Sequence, residues 1–305
     1  MQEPKSFRPV QPDALNRRQW LSLAALPALA SLQAGIVVEA KPDNVPDTWA
    51  AVRQRWTPGT WLLLGEVHDN VAQHRLRHEL LQAQLKHGLR PALLMEQFDR
   101  EQQGAIDAAM RLPGASAKSI VDAAGGAESW DWPLYLPFIN LALKHGLRIV
   151  AANVSRADAR RVMADGLKAH GFDEAIPADV RQALGQDILA SHCGAIPDQV
   201  AQRMVLAQVA RDQFMARMLV QHGAHNTQGA VLLAGNGHVR KDFGVPRWLK
   251  SEADPHTLSV GLLEAGDTLR GVYDEVIVTA PQDRADPCAE FKAPAAPQPA
   301  ASSRP

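Results

Sequence analysis

Four short, uninterrupted apolar runs in this chain each end in a polar side chain, and two of them end in the same pattern, Gly-x-x-His. Trp61 to Leu64 runs into Gly65-Glu66-Val67-His68, and Val231 to Ala234 runs into Gly235-Asn236-Gly237-His238. Between them, Ala92 to Met95 leads to Glu96, and Arg148 to Ala152 leads to Asn153. An apolar run without alternation suits a parallel strand covered on both faces, and open parallel sheets take their ligands at the carboxyl ends of such strands. The pattern predicts an α/β fold, a mostly parallel sheet flanked by helices, in which Glu66, His68, Glu96 and His238 meet in one cleft.

The remaining punctuation supports that register. A helix is predicted over Val71 to Lys86, with Asn70 as N-cap and Gln73 three residues on, as in a capping box. It ends in Lys86-His87-Gly88-Leu89-Arg90, and the same five residues recur as Lys144-His145-Gly146-Leu147-Arg148 before the next run. Glycine in the left-handed conformation closes a helix and a basic side chain complements its dipole, so these histidines read as helix ends rather than ligands. Two helical insertions, around 102–145 and 158–222, are expected to form a lid or subdomain. The first is interrupted by Gly125-Gly126 and Pro133, with an aromatic turn over Trp130 to Tyr135; the second contains an amphipathic helix over Gln199 to Val220. Strands follow near 258–263 and 275–279. Residues 35–280 thus form a single domain, and the Pro- and Ala-rich stretch 281–305 is expected to be disordered.

A net charge of -1 lacks the basic excess of a nucleic-acid binder, and that class is set aside. At the N-terminus, Arg17-Arg18 precede a moderately apolar stretch, and Ala28-Leu29-Ala30 supplies small residues for cleavage. Residues 1–34 look like a twin-arginine export signal, which predicts a periplasmic protein. The competing reading is an uncleaved anchor over Leu21 to Val38. No cysteine lies near the cut to carry a lipid. The two cysteines, Cys193 and Cys288, can pair in an oxidising compartment, though two cysteines alone do not establish a disulfide; beside His192, Cys193 reads as a packing residue ahead of a soft ligand.

Several side chains have types suited to chemistry. Glu66 and His68 follow a glycine that turns the chain sharply, so both can converge on one atom. Glu96 follows an interior-type segment, where a carboxylate needs a cation, hydrogen bonds or proton-transfer work; an arginine salt bridge is the plain alternative. His74 shares a helix face with His78 and lies one turn from the Glu66–His68 loop. His192 sits beside Cys193 in a break bounded by Gly194 and Pro197. Arg211-Asp212 can bridge locally or reach the cleft. Tyr135 can offer a phenolate to ferric haem or pack with Trp130 and Trp132.

These residues resemble a known family. Gly65 to Asn70, Met95-Glu96-Gln97-Phe98, Trp132 to Tyr135 with Pro137, Ala151-Ala152-Asn153 and Ser191-His192-Cys193-Gly194 resemble motifs of the ChaN-like haem-binding uptake proteins. So do Gln208 with Arg211-Asp212 and Met215-Ala216, and Ala234 to Val239 before Gly244-Val245-Pro246; the match runs in order over most of residues 58 to 250. The wider superfamily is similar to the Tiki metalloproteases and erythromycin esterases. The resemblance implies an α/β core and haem held at a subunit interface in bacterial iron acquisition, hence a homodimer and an outer-membrane uptake system as partners. Its cofactor is haem, with His68, His74, Tyr135, His192, Arg211 and His238 as the binding candidates. The alternative is a hydrolase holding a divalent metal such as zinc or manganese on Glu66, His68 and His238, with Glu66 or Glu96 as general base. A third reading is a scaffold that keeps the cleft without its chemistry. The haem reading ranks first and the hydrolase second.

Overall fold

The computed structural model of the chain describes residues 37–39, 48–126, 128–249 and 256–289. The proposed export segment and residues 290–305 lie outside the described residues.

Seven strands form one sheet: β1 (Val37–Glu39), β2 (Trp61–Leu64), β3 (Ala92–Asp99), β4 (Ile149–Asn153), β5 (Ala230–Leu233), β6 (Thr257–Glu264) and β7 (Glu275–Thr279). Their order is β1-β7-β6-β2-β5-β3-β4, and every pairing is parallel. The fifth strand therefore inserts between the second and third, so the two Gly-x-x-His turns leave neighbouring strands. Parity along the strands explains the absence of alternation. Leu62, Leu64, Leu93, Met95, Val231 and Leu233 enter one core, and Leu63, Leu94, Val150, Ala152 and Leu232 enter the other.

Nine α-helices occur among the described residues: α1 (Ala50–Arg55), α2 (Val71–Lys86), α3 (Gln103–Met110), α4 (Ala117–Ala123), α5 (Trp132–His145), α6 (Arg156–Asp165), α7 (Ala178–Ser191), α8 (Asp198–Gly223) and α9 (Asn236–Val239). The first five supply one cover of the sheet. The eighth lies against the other face, and a satellite core joins it to α6, α7 and Phe243.

The second helix has the predicted bounds, and Asn70 accepts from the Gln73 N–H at 3.1 Å. The capping box differs from expectation: the Gln73 amide oxygen accepts from the Val67 N–H at 2.6 Å and so ties down the Gly65–His68 turn. Gly146 closes α5 at φ 65° and Gly88 follows α2 at φ 96°, as the repeated pentapeptide predicts. Two other expectations are corrected. The aromatic turn at Trp132 to Tyr135 is the first turn of α5, which Pro133 opens instead of breaking, because proline needs no N–H partner there. The disordered tail does not start at 281. Gln282 donates to Glu264 at 2.9 Å, Arg284 pairs with Asp69 and Glu264 at 2.8 and 2.7 Å, and Cys288 forms a disulfide with Cys193.

Candidate functional site

The carboxyl edge of the sheet gathers a continuous chain of acids and imidazoles. After β2, Gly65 passes close under α9: a Cβ there would lie 2.3 Å from the Asn236 side chain and 2.8 Å from Val239. Glu66 keeps the parity of Leu62 and Leu64 and points to the α2–α5 side, where it is wholly buried. One oxygen accepts from the Tyr135 hydroxyl at 2.8 Å and meets His68 Nδ1 at 2.7 Å. The other pairs with Arg77 and lies 3.3 Å from His74 Nε2. Burial alone would push this carboxyl up, but Arg77 first, then His74 and His68, outweigh it and hold it at about 2. Glu66 is an ionised, fully committed anion.

Glu96 has the parity of Leu94 and so emerges on the α8 side. It sits where β3 outruns its neighbours, past its last pairing with β5 at Met95 and inside a register shift against β4. Its Oε2 accepts from the Gly235 N–H at 2.8 Å and lies 3.9 Å from His68 Nε2; its Oε1 lies 3.6 Å from His238 Nε2. His238 in turn meets Asp212 Oδ1 through Nδ1 at 2.6 Å. The order across the edge is therefore Arg77 and Tyr135, Glu66, His68, Glu96, His238, Asp212. Each imidazole has one ring nitrogen held by a carboxylate while the other faces Glu96. Burial pushes both histidines down, yet the carboxylates raise them overall: Glu96 and Glu66 for His68, Asp212 and Glu96 for His238. Asp212 itself is raised by burial.

Of the candidates read from sequence, His68, Glu96, Arg211 and His238 line one cleft, together with Trp130, Leu184, Asp187, Ile188, Gln208 and Phe243. The Trp130 ring meets His68 edge-on at 5.0 Å, and Arg211 donates to Gln208 at 2.7 Å. The enclosed space is small, about 60 Å³. Glu66, His74 and Tyr135 lie beneath the cleft. His74 Nε2 donates to the His68 carbonyl at 2.9 Å, and burial lowers its pKa. Tyr135 is wholly buried; burial, then Glu66, raise its pKa well above the usual phenol value, so it supports Glu66 and presents no phenolate to the cleft. His192 caps α7, donating from Nδ1 to the Ile188 carbonyl at 2.7 Å, and is not a cleft wall. Among the described residues no three His, Cys, Asp or Glu side chains are grouped to hold a metal ion. For the Glu66–His68–His238 set the reason is physical: Arg77 already occupies Glu66, and Glu96 stands between the two histidines.

Arg77 was not singled out in the sequence, and Trp130 was read only as part of the aromatic turn and not as a cleft wall. The signal for Arg77 was present, because the inward positions of α2 carry Gln73, His74, Arg77 and Gln84 beside Leu76, Leu80 and Leu81. A helix that buries so many polar groups is organised around something charged.

Residues 52–249 match the family model described as haem-binding uptake, Tiki superfamily, ChaN. Among solved structures, ChaN of Campylobacter jejuni with cofacial haem binding is similar at a TM-score of 0.61 and 22% identity, covering 74% of this chain and 88% of that one. That likeness shows a shared fold. An erythromycin esterase variant in its open conformation has a TM-score of 0.41 at 12% identity, covering 71% of this chain and 73% of the other. A succinoglycan biosynthesis protein has a TM-score of 0.41 at 8% identity, covering 73% and 71%. No curated protein matches the chain.

Proposed function

The chain belongs to the ChaN haem-binding uptake family of the Tiki superfamily, and from that premise we propose that it is an exported haem-binding protein of bacterial haem and iron uptake. The observation that carries this reading is the pair of oriented imidazoles. His68 and His238 each have Nδ1 fixed by a carboxylate, at 2.7 and 2.6 Å, and each turns Nε2 toward Glu96 in the cleft wall. Metal-ligating histidines are oriented by such second partners as a rule. The walls suit a porphyrin: Trp130, Leu184, Ile188 and Phe243 offer apolar faces, and Arg211 offers a cation to a propionate. Ligand pockets that enclose a drug-sized molecule run to about 300–1,000 Å³. An enclosed space of about 60 Å³ is far smaller, so the macrocycle would lie across the mouth rather than inside. A ligand left half-covered favours a second copy of the chain over it, and the proposal includes that homodimer and an outer-membrane uptake system as the source. Haem, if bound, would supply the Soret absorbance through its porphyrin and an iron open to a side-chain ligand; the chain's residues supply orientation, apolar cover and charge.

The experiment is a haem titration of the purified protein, followed by absorbance. A Soret band at a fixed stoichiometry, shifted or lost in His68→Ala or His238→Ala, is the expected result. No Soret change in the wild-type protein overturns the proposal.

One observation favours a second reading, a hydrolase. Asp212, His238 and the cleft are arranged as an orienting acid, an imidazole base and a substrate space. Ester turnover lost in His238→Ala, without any haem affinity, would put this reading first.

A further inference from the structure

A second cavity, larger than the cleft, opens at the opposite, amino-terminal edge of the sheet. It measures about 870 Å³, against about 60 Å³ for the cleft, and is open to solvent on one side; its size is that of a ligand-binding cleft. Trp61, at the start of β2, and Trp248 line it, with Ala216, Arg217 and Val220 from α8 and with His256. Trp61 is held rigidly: α8 approaches so closely that a Cβ on Gly223 would lie 2.5 Å from the indole nitrogen. Arg217 gives one N–H to the Gly171 carbonyl at 2.7 Å, and its guanidinium has further donors to offer. Asp173 stands on the same rim, with one oxygen accepting from the Ala175 N–H at 3.0 Å.

We propose that this cavity is a second binding site, separate from the carboxyl-edge cleft, for a flat aromatic molecule bearing an acidic group. The aromatic body rests against the indoles of Trp61 and Trp248, and the acidic group meets Arg217. Asp173 fixes the orientation by repelling that group from its own side.

Anilinonaphthalene sulfonate, a flat aromatic anion, tests this on the full chain by fluorescence titration. One probe per chain is expected. Val220→Trp, at a wall position already 43% exposed, fills the space and weakens binding at least about tenfold, an effect of about 1.4 kcal/mol. Arg217→Ala weakens it, and Asp173→Asn, which removes a repelling charge, strengthens it. Thermal melts confirm that each variant is folded, and His238→Ala leaves probe binding unchanged, which separates this site from the haem cleft. Absence of binding to the wild-type protein, several probes per chain, or equal binding in folded Val220→Trp would overturn the proposal. So would Arg217→Ala and Asp173→Asn changes of the same sign.

Discussion

Replacing Arg77 by methionine removes the cation on which the buried end of the acid–imidazole chain depends. Both side chains of the Arg77–Glu66 pair have no exposure, so solvent screens neither charge. Displacement of Glu66 from 4.5 to about 2 corresponds to about 3 kcal/mol at about 1.4 kcal/mol per tenfold change in proton affinity. Breaking a buried pair by removing one partner costs about 3–5 kcal/mol, because the other charge stays buried and uncompensated. Arg77→Met should therefore lose about 3–4 kcal/mol at neutral pH in urea denaturation. The pH dependence has a definite sign. A carboxyl depressed on folding contributes stability that is fully present above its unfolded value near 4.5 and is lost as pH falls toward the folded value. The gap between wild type and Arg77→Met should accordingly narrow between about pH 5 and about pH 2. The double variant with Glu66→Gln should be less destabilised than the sum of the two singles by at least about 1.5 kcal/mol, since the pair is in direct contact. A cost below about 1 kcal/mol for Arg77→Met, or strict additivity, would refute the reasoning.

Three other outcomes follow from the same structure. The Cys193–Cys288 bond closes a separation of 95 residues; the chain-entropy account gives about 4.6 kcal/mol and measured disulfides more often give about 2–4, so Cys193→Ser or Cys288→Ser should lower the melting temperature by about 5–10 °C. An unchanged melt on reduction would show that the bond constrains nothing. Asp212→Asn removes the strongest group raising His238, so the imidazole should titrate at lower pH by NMR, and an unmoved titration would contradict the assigned contact. Because His68 and His238 are raised on folding, their contribution is complete below about 6.5 and is lost as pH climbs through the raised values. Melts from about pH 6 to about pH 9 should show that decline, flattened in the double alanine variant; equal pH profiles would speak against it.

Much of the fold was legible because the determining residues are local. The apolar run Trp61 to Leu64 and its counterpart Val231 to Ala234 lead into helix or turn glycines that impose the strand ends, and Asn70 with Lys86 to Gly88 fixes α2 at both ends. What escaped depended on contacts distant in sequence. The partner of Glu66 is Arg77, and no spacing rule announces that a helix will turn its arginine inward. Tyr135 reads from sequence either as a phenolate for haem or as a packing partner of Trp130 and Trp132; α5 buries it under Glu66 with both indoles beside it, at 5.6 and 6.3 Å. The tail beyond Pro281 has the composition of a disordered segment, yet a single arginine between Asp69 and Glu264 and one disulfide suffice to hold its first part. Composition measures the average of a segment, and anchoring needs only one or two contacts.

The position of Glu96 separates the two functional readings more sharply than either histidine does. It accepts from the Gly235 N–H at 2.8 Å and stands 3.9 and 3.6 Å from the Nε2 atoms of His68 and His238. As a carboxylate it draws a proton onto each of those nitrogens, and a protonated imidazole cannot ligate iron. Glu96→Gln removes the charge but keeps the shape and an acceptor for Gly235. In a haem binder this substitution frees the imidazoles, so affinity should hold or rise, with a sharper low-spin spectrum if a histidine is the ligand. In a hydrolase that uses Glu96 to move a proton, the same substitution should cost about 10²–10⁴ in turnover of a chromogenic ester. Haem affinity that collapses in folded Glu96→Gln while His68→Ala leaves it untouched would refute the imidazole assignment, because it would make the acid, and not the rings it orients, the group that holds the ligand.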